Sequence, residues 1–184
     1  MSTRSWIARS MILTACLSFC LIATQSAQAQ TTSAIVSLHL DGVVDPFVAD
    51  YLRGAIEDAN DAGNPAILIQ IDTPGGLGSS MREITQAILG SNVPVICYVA
   101  PEGARAASAG AFVLMSCPIA AMAPGTNVGA ATPIGISGIT LERKVTNDAV
   151  ASIRSMAEIY GRNADVAESF VRDATSISAT PASA

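Results

Sequence analysis

The chain contains one lysine and one histidine, Lys144 and His39, and this scarcity decides which chemistry is open to it. Arginine does not deprotonate in proteins, so these two are the only side-chain nitrogen bases. A serine becomes a nucleophile at neutral pH only when a base activates it. His39 falls inside an alternating apolar stretch at residues 34–40, away from any loop end, and reads as a structural strand residue. That leaves Lys144, which acts as a base where burial disfavours its charged form. With one histidine and few cysteines, no set of three or four zinc ligands assembles, so neither a metal nor another cofactor is expected.

Two glycine-marked loops frame one serine. Asp72-Thr73-Pro74-Gly75-Gly76 directly follows an apolar run, and Gly103-Ala104-Arg105-Ala106-Ala107-Ser108-Ala109-Gly110 follows another. Paired glycines let backbone approach a ligand closely and leave N–H groups free to point at an anion. Ser108 stands where a helix is expected to begin, at a positive dipole end with unsatisfied N–H groups. Together the loops offer an oxyanion hole beside a hydroxyl. The residues alone leave a second possibility open, in which Lys144 is a surface lysine and Ser108 a helix cap.

The elements that must position these groups alternate. Residues 34–40 read as a strand ending at the turn Asp41-Gly42. Residues 45–62 place Phe47, Val48, Tyr51, Leu52, Ala55, Ile56 and Ala59 on one helical face, with Asp45 as cap and Pro46 at the first position. Residues 66–71 form a short buried strand, and 72–76 a loop. Helix follows at 79–89, strand at 94–99, an apolar run at 111–115, a short strand at 119–122, and helices at 146–160 and 165–171. This alternation predicts a parallel sheet with helices packed on it, which binds ligands at the carboxyl ends of its strands.

A net charge of −5 argues against a nucleic-acid partner, which requires a basic face. Arg4 and Arg9, the uncharged run at 11–23 and Ala27-Gln28-Ala29 predict a signal peptide over 1–29, which leaves residues 30–184 as one domain. Cys97 and Cys117 both lie in apolar surroundings, and the sequence leaves open whether they are buried thiols or an export-permitted disulfide.

The stretch from Gly103 to Phe112, with Ile71-Asp72-Thr73-Pro74-Gly75-Gly76-Leu77 ahead of it, resembles the ClpP-class membrane serine proteases of the NfeD family. Ala121 to Ala130, Lys144-Val145-Thr146-Asn147 and Gly161-Arg162-Asn163-Ala164 fit the same pattern in order and spacing, so the resemblance covers about residues 34–178. It implies a ClpP/crotonase-like superhelical α/β fold with a mainly parallel sheet. It also implies Ser108 as nucleophile, Lys144 as general base, and Gly75, Gly76 and the N–H of Ala109 as oxyanion hole. The implied activity is cleavage of apolar segments of membrane proteins, with a stomatin-like protein as substrate or partner. The implied setting is a homodimer on the outer face of the cytoplasmic membrane.

The sequence is expected to lack the end of that protease domain, so a catalytically impaired form that acts as a binding or scaffold module is the alternative. A crotonase-type enzyme acting on acyl-CoA thioesters shares the fold class. It fits poorly with export, and only Glu102 and Asp72 stand near Ser108 in sequence to serve as its acid or base.

Overall fold

The protein is described by a computed structural model covering residues 34–134 and 143–183. The expected signal peptide and residues 135–142, just ahead of the candidate lysine, lie outside the described residues. The elements run β1 (Val36–Val44), α1 (Pro46–Ala62), β2 (Ile67–Gly76), α2 (Gly78–Leu89), β3 (Val95–Val99), β4 (Arg105–Ala107) and α3 (Ala109–Ser116). They continue as β5 (Ile119–Met122), β6 (Asn127–Gly129), α4 (Arg143–Ile159), α5 (Ala164–Arg172), β7 (Ser176–Ser178) and α6 (Ala179–Ala182).

The mainly parallel α/β architecture is the expected one. Strands follow the order β5-β3-β2-β4-β6-β7, with β1 also paired to β2. Every pairing is parallel except β6 with β7. The long strand β2 organises the sheet because it serves two sets of partners. Its first half, Ile67 to Ile71, lies between β1 and β3, while Thr73 farther along pairs with Ala106 of β4. Alternate residues Leu38, Leu40, Ile67, Ile69, Ile71, Val95, Cys97 and Val99 are buried, which is the pattern a pleated strand makes against a core. Each such aliphatic side chain contributes roughly 1.5–3 kcal/mol of transfer free energy.

Two expected loops are strand instead. The Asp41-Gly42 turn does not end β1, because Gly42 at φ 80° absorbs an irregularity between Asp41 and Val43 and pairing resumes. Val43 and Val44 then lie opposite Gly75 and Gly76, so the expected loop at 72–76 is the far end of β2. Strands β4, β6 and β7 are three residues each, too short for an apolar alternation to announce them. Helix α1 has the expected cap and stop, with Asp45 accepting the Val48 N–H at 2.9 Å and Gly63 closing it in the left-handed region, but its face is corrected: Ala49, Leu52, Ile56 and Ala59 form the buried stripe, while Phe47 and Tyr51 are exposed.

Helices α4 and α5 are bound to each other by ion pairs. Arg154 on α4 reaches Asp165 at 2.8 Å and Glu168 at 2.6 Å on α5. Arg172 pairs with Glu168 and donates to Asn147 at 3.2 Å. Hydrogen bonds from Arg172 and Arg154 hold the Glu168 carboxyl below its ordinary value. A carboxyl depressed by folding stabilises the folded chain at neutral pH. That contribution is lost as pH falls from the ordinary glutamate value, about 4.3, through the lower folded value. Glu168→Gln should therefore lower the melting temperature at neutral pH, with the gap to wild type closing in acid. A gap that stays constant down to about pH 2 would contradict this linkage.

Candidate active site

Ser108 is the single residue between β4 and α3. Its backbone takes φ 53° and ψ −117°, a conformation that costs a non-glycine residue about 1–3 kcal/mol. Neighbours hold it there: its N–H donates to the Gly129 carbonyl at 2.9 Å, and its carbonyl accepts the Ala111 N–H at 3.0 Å. The Ser108 hydroxyl does not cap α3, so it is not the helix cap that the sequence left open. A strained strand–serine–helix turn presents a hydroxyl outward, as a nucleophile elbow does. Helix α3 is buried on nearly every side, so its amino end lies in a low-dielectric setting where its dipole counts for more than in water.

The first glycine loop packs directly against this elbow. Gly75 is buried at φ 109°, and a Cβ there would fall 2.5 Å from Ser108 Cβ and 2.9 Å from Ser108 Oγ. No side chain fits. Gly76 is exposed, and a Cβ on it would fall 2.1 Å from the Val44 carbonyl oxygen. The Gly75 N–H donates to Thr73 Oγ1 at 3.0 Å. The Val44 carbonyl takes the Leu77 N–H at 2.8 Å. Ala109 is the first residue of α3, a position whose N–H has no partner within a helix.

Lys144 lies in the first turn of α4, which begins at Arg143, about one turn earlier than its apolar spacing indicates. Its side chain is exposed on that turn. The structure therefore brings together Ser108, Gly75 and Ala109, with Gly76 next in β2, and sets Lys144 on a separate helix. His39 is exposed in the middle of β1, in line with its reading as a strand residue. Among the described residues, no group of three or more His, Cys, Asp or Glu side chains is placed to hold a metal.

The far end of α3 is also held. Arg162 donates to the carbonyls of Met115 at 2.8 Å, Cys117 at 2.6 Å and Pro118 at 3.3 Å, satisfying groups that a helix end leaves orphaned. Burial pushes its guanidinium down from the ordinary value, and the Tyr160 ring lies 5.1 Å beneath it. Cys117, the cap of α3, is joined to Cys97 of β3 as a disulfide, which resolves the alternative left by the sequence. Sequence reasoning missed Thr73 and Arg162 as supports of the site. The only available signals were a β-branched residue at the carboxyl end of a strand and an arginine after a helix-ending glycine.

The glycine contacts make a direct forecast for stability. Gly75→Ala combines a disfavoured φ with overpacking against Ser108, together costing about 2–4 kcal/mol. Gly54, inside α1, is the control, because a Cβ added there would meet nothing within 4 Å. Gly54→Ala should stabilise by about 0.5–1 kcal/mol. Urea unfolding of both variants checks the pair, and equal effects would contradict the packing argument.

The NfeD1b N-terminal domain family matches residues 34–183. The chain is similar to the membrane-bound protease PH1510 of Pyrococcus horikoshii, 42% identical over 137 residues that make up 72% of this chain and 31% of that protein. It is also similar to the membrane protein NfeD1b of Bacillus subtilis, 33% identical over 114 residues that make up 62% of this chain and 25% of that protein. The chain thus spans under a third of the length of either relative. Among solved structures it resembles the 1510-N membrane-bound stomatin-specific protease. A lysine-to-alanine mutant of that protease in complex with a substrate peptide matches with TM-score 0.75 and 38% identity, over 80% of this chain and 70% of the other. A serine-to-alanine mutant matches with TM-score 0.74 and 38% identity, over 79% and 73%. With the family match extending over nearly all the described residues, the chain belongs to the NfeD1b N-terminal domain family.

Proposed function

We propose that the chain is a serine endopeptidase that cuts apolar segments of a stomatin-like membrane protein, with Ser108 as nucleophile and Lys144 as general base. The observation that carries this reading is the strained Ser108 elbow packed against a glycine that admits no side chain. The names of the relatives support it, since one is a membrane-bound protease and the solved neighbours are stomatin-specific. Those neighbours were altered at a serine and at a lysine, the two residue types of the dyad.

Lys144 takes the Ser108 proton as Oγ bonds to the substrate carbonyl carbon. The resulting oxyanion is held by the N–H groups of Gly76 and Ala109 at the amino end of α3. Collapse breaks the C–N bond, and the Lys144 ammonium returns the proton to the leaving amine. Water then hydrolyses the Ser108 ester by the same route. The site acts on the outer face of the cytoplasmic membrane after removal of residues 1–29, as a homodimer. Among the described residues, no helix is long and apolar enough to cross a membrane.

The exposure of Lys144 favours a second reading, in which the domain binds its membrane partner without cutting it. Cleavage of an apolar peptide from a stomatin-like protein separates the two. Ser108→Ala should abolish turnover, and Lys144→Ala should reduce it by about 10³-fold, with the fold intact by circular dichroism. Turnover that survives Ser108→Ala, or that stays near the wild-type rate in Lys144→Ala, ends the dyad assignment. Binding with no turnover in the wild type establishes the scaffold reading.

A further inference from the structure

Thr73 is fully buried between the two glycine loops and is not itself a reacting group. Its hydroxyl donates to the Gly42 carbonyl at 2.5 Å, at the irregularity in β1, and accepts the Gly75 N–H at 3.0 Å. Its methyl group faces the other loop. A Cβ placed on Gly110, the second residue of the nucleophile helix α3, would fall 2.4 Å from Thr73 Cγ2, with the next atoms at 3.6 and 3.9 Å. One side chain thus touches the strand bulge, the glycine turn that contacts Ser108, and the first turn of the helix that Ser108 starts.

From this geometry we infer that Thr73 is a positioning residue that sets the glycine turn and the Ser108 elbow at a fixed spacing. The hydroxyl and the methyl do separate jobs. The hydroxyl pins the turn: without it, a buried carbonyl and a buried N–H lose their partner, and the turn relaxes toward water or toward Ser108. The methyl sets how closely α3 approaches β2, because at position 110 only a glycine leaves it room. The positions of the Gly76 and Ala109 amides relative to each other follow from this spacing, and an oxyanion hole is sensitive to shifts of that kind.

The kinetic consequence rests on the serine-protease reading, and the structural consequence does not. Three substitutions separate the roles. Thr73→Val keeps the shape and removes the hydroxyl. Thr73→Ser keeps the hydroxyl and removes the methyl. Gly110→Ala adds the methyl that collides with Thr73 Cγ2, and combined with Thr73→Ser it finds that space vacated. In the full-length chain, Thr73→Val should lower kcat on an apolar peptide by about 10–100-fold with KM within about threefold. It should also raise hydrogen exchange at the Gly75 amide about tenfold, while Thr73→Ser keeps that amide protected.

Gly110→Ala should lose at least about tenfold in kcat and melt at a lower temperature, and adding Thr73→Ser should restore most of both losses. Wild-type kcat and wild-type Gly75 exchange in Thr73→Val would overturn the role of the hydroxyl. A double variant as impaired as the two singles combined would overturn the role of the methyl. Should the wild type cut no peptide, the protease reading fails, while hydrogen exchange and the melting rescue still decide the positioning role.

Discussion

Two backbone segments meet at Gly75 and Ser108 more closely than any side chain permits, and much of the sheet is arranged to keep them there. Gly75 lies at the far end of β2, which reaches that point only because β1 continues past its bulge and pairs as far as Val44. Ser108 lies at the end of β4, whose Ala106 is the partner of Thr73 on the same β2 strand. A single strand therefore supplies the floor for both loops. The strain at Ser108 is sustained by bonds on both sides of its peptide, one to β6 through Gly129 and one into α3. A residue confined in this way stays in a disfavoured conformation because its surroundings fix it more firmly than local preference opposes it.

Lys144 stands at the start of α4, which packs Val150, Ile153, Met156 and Ala157 into the core and is further tied to α5 by Arg154, Glu168 and Arg172. The candidate residues therefore come from two places, the Ser108 elbow with its glycine turn and the first turn of α4.

The alternation of apolar strands and amphipathic helices was legible because its periods are long enough to count. Helix α1 announced its cap, its stop and the Leu52, Ile56 and Ala59 part of its face, and the helix and strand that follow were placed nearly as clearly. The glycine loops were also legible as sites of close approach, and Ser108 stood out as the hydroxyl they frame. Three things were not legible. A glycine in a strand bulge carries the same Asp-Gly signature as a turn, so the continuation of β1 was hidden. Three-residue strands such as β4 carry no period at all. The Thr73 bond that occupies the Gly75 amide arises from tertiary placement, and spacing has no means of distinguishing a free N–H from an engaged one.

Activation of Ser108 by Lys144 is open to a direct chemical test. Peptide mapping by mass spectrometry after treatment with a fluorophosphonate ester measures this most directly, because it locates the modified atom without needing the natural substrate. One adduct is expected, on the peptide containing Ser108, formed in the wild-type chain and lost in Lys144→Ala. An adduct that forms equally well without Lys144, or on a different serine, would contradict it.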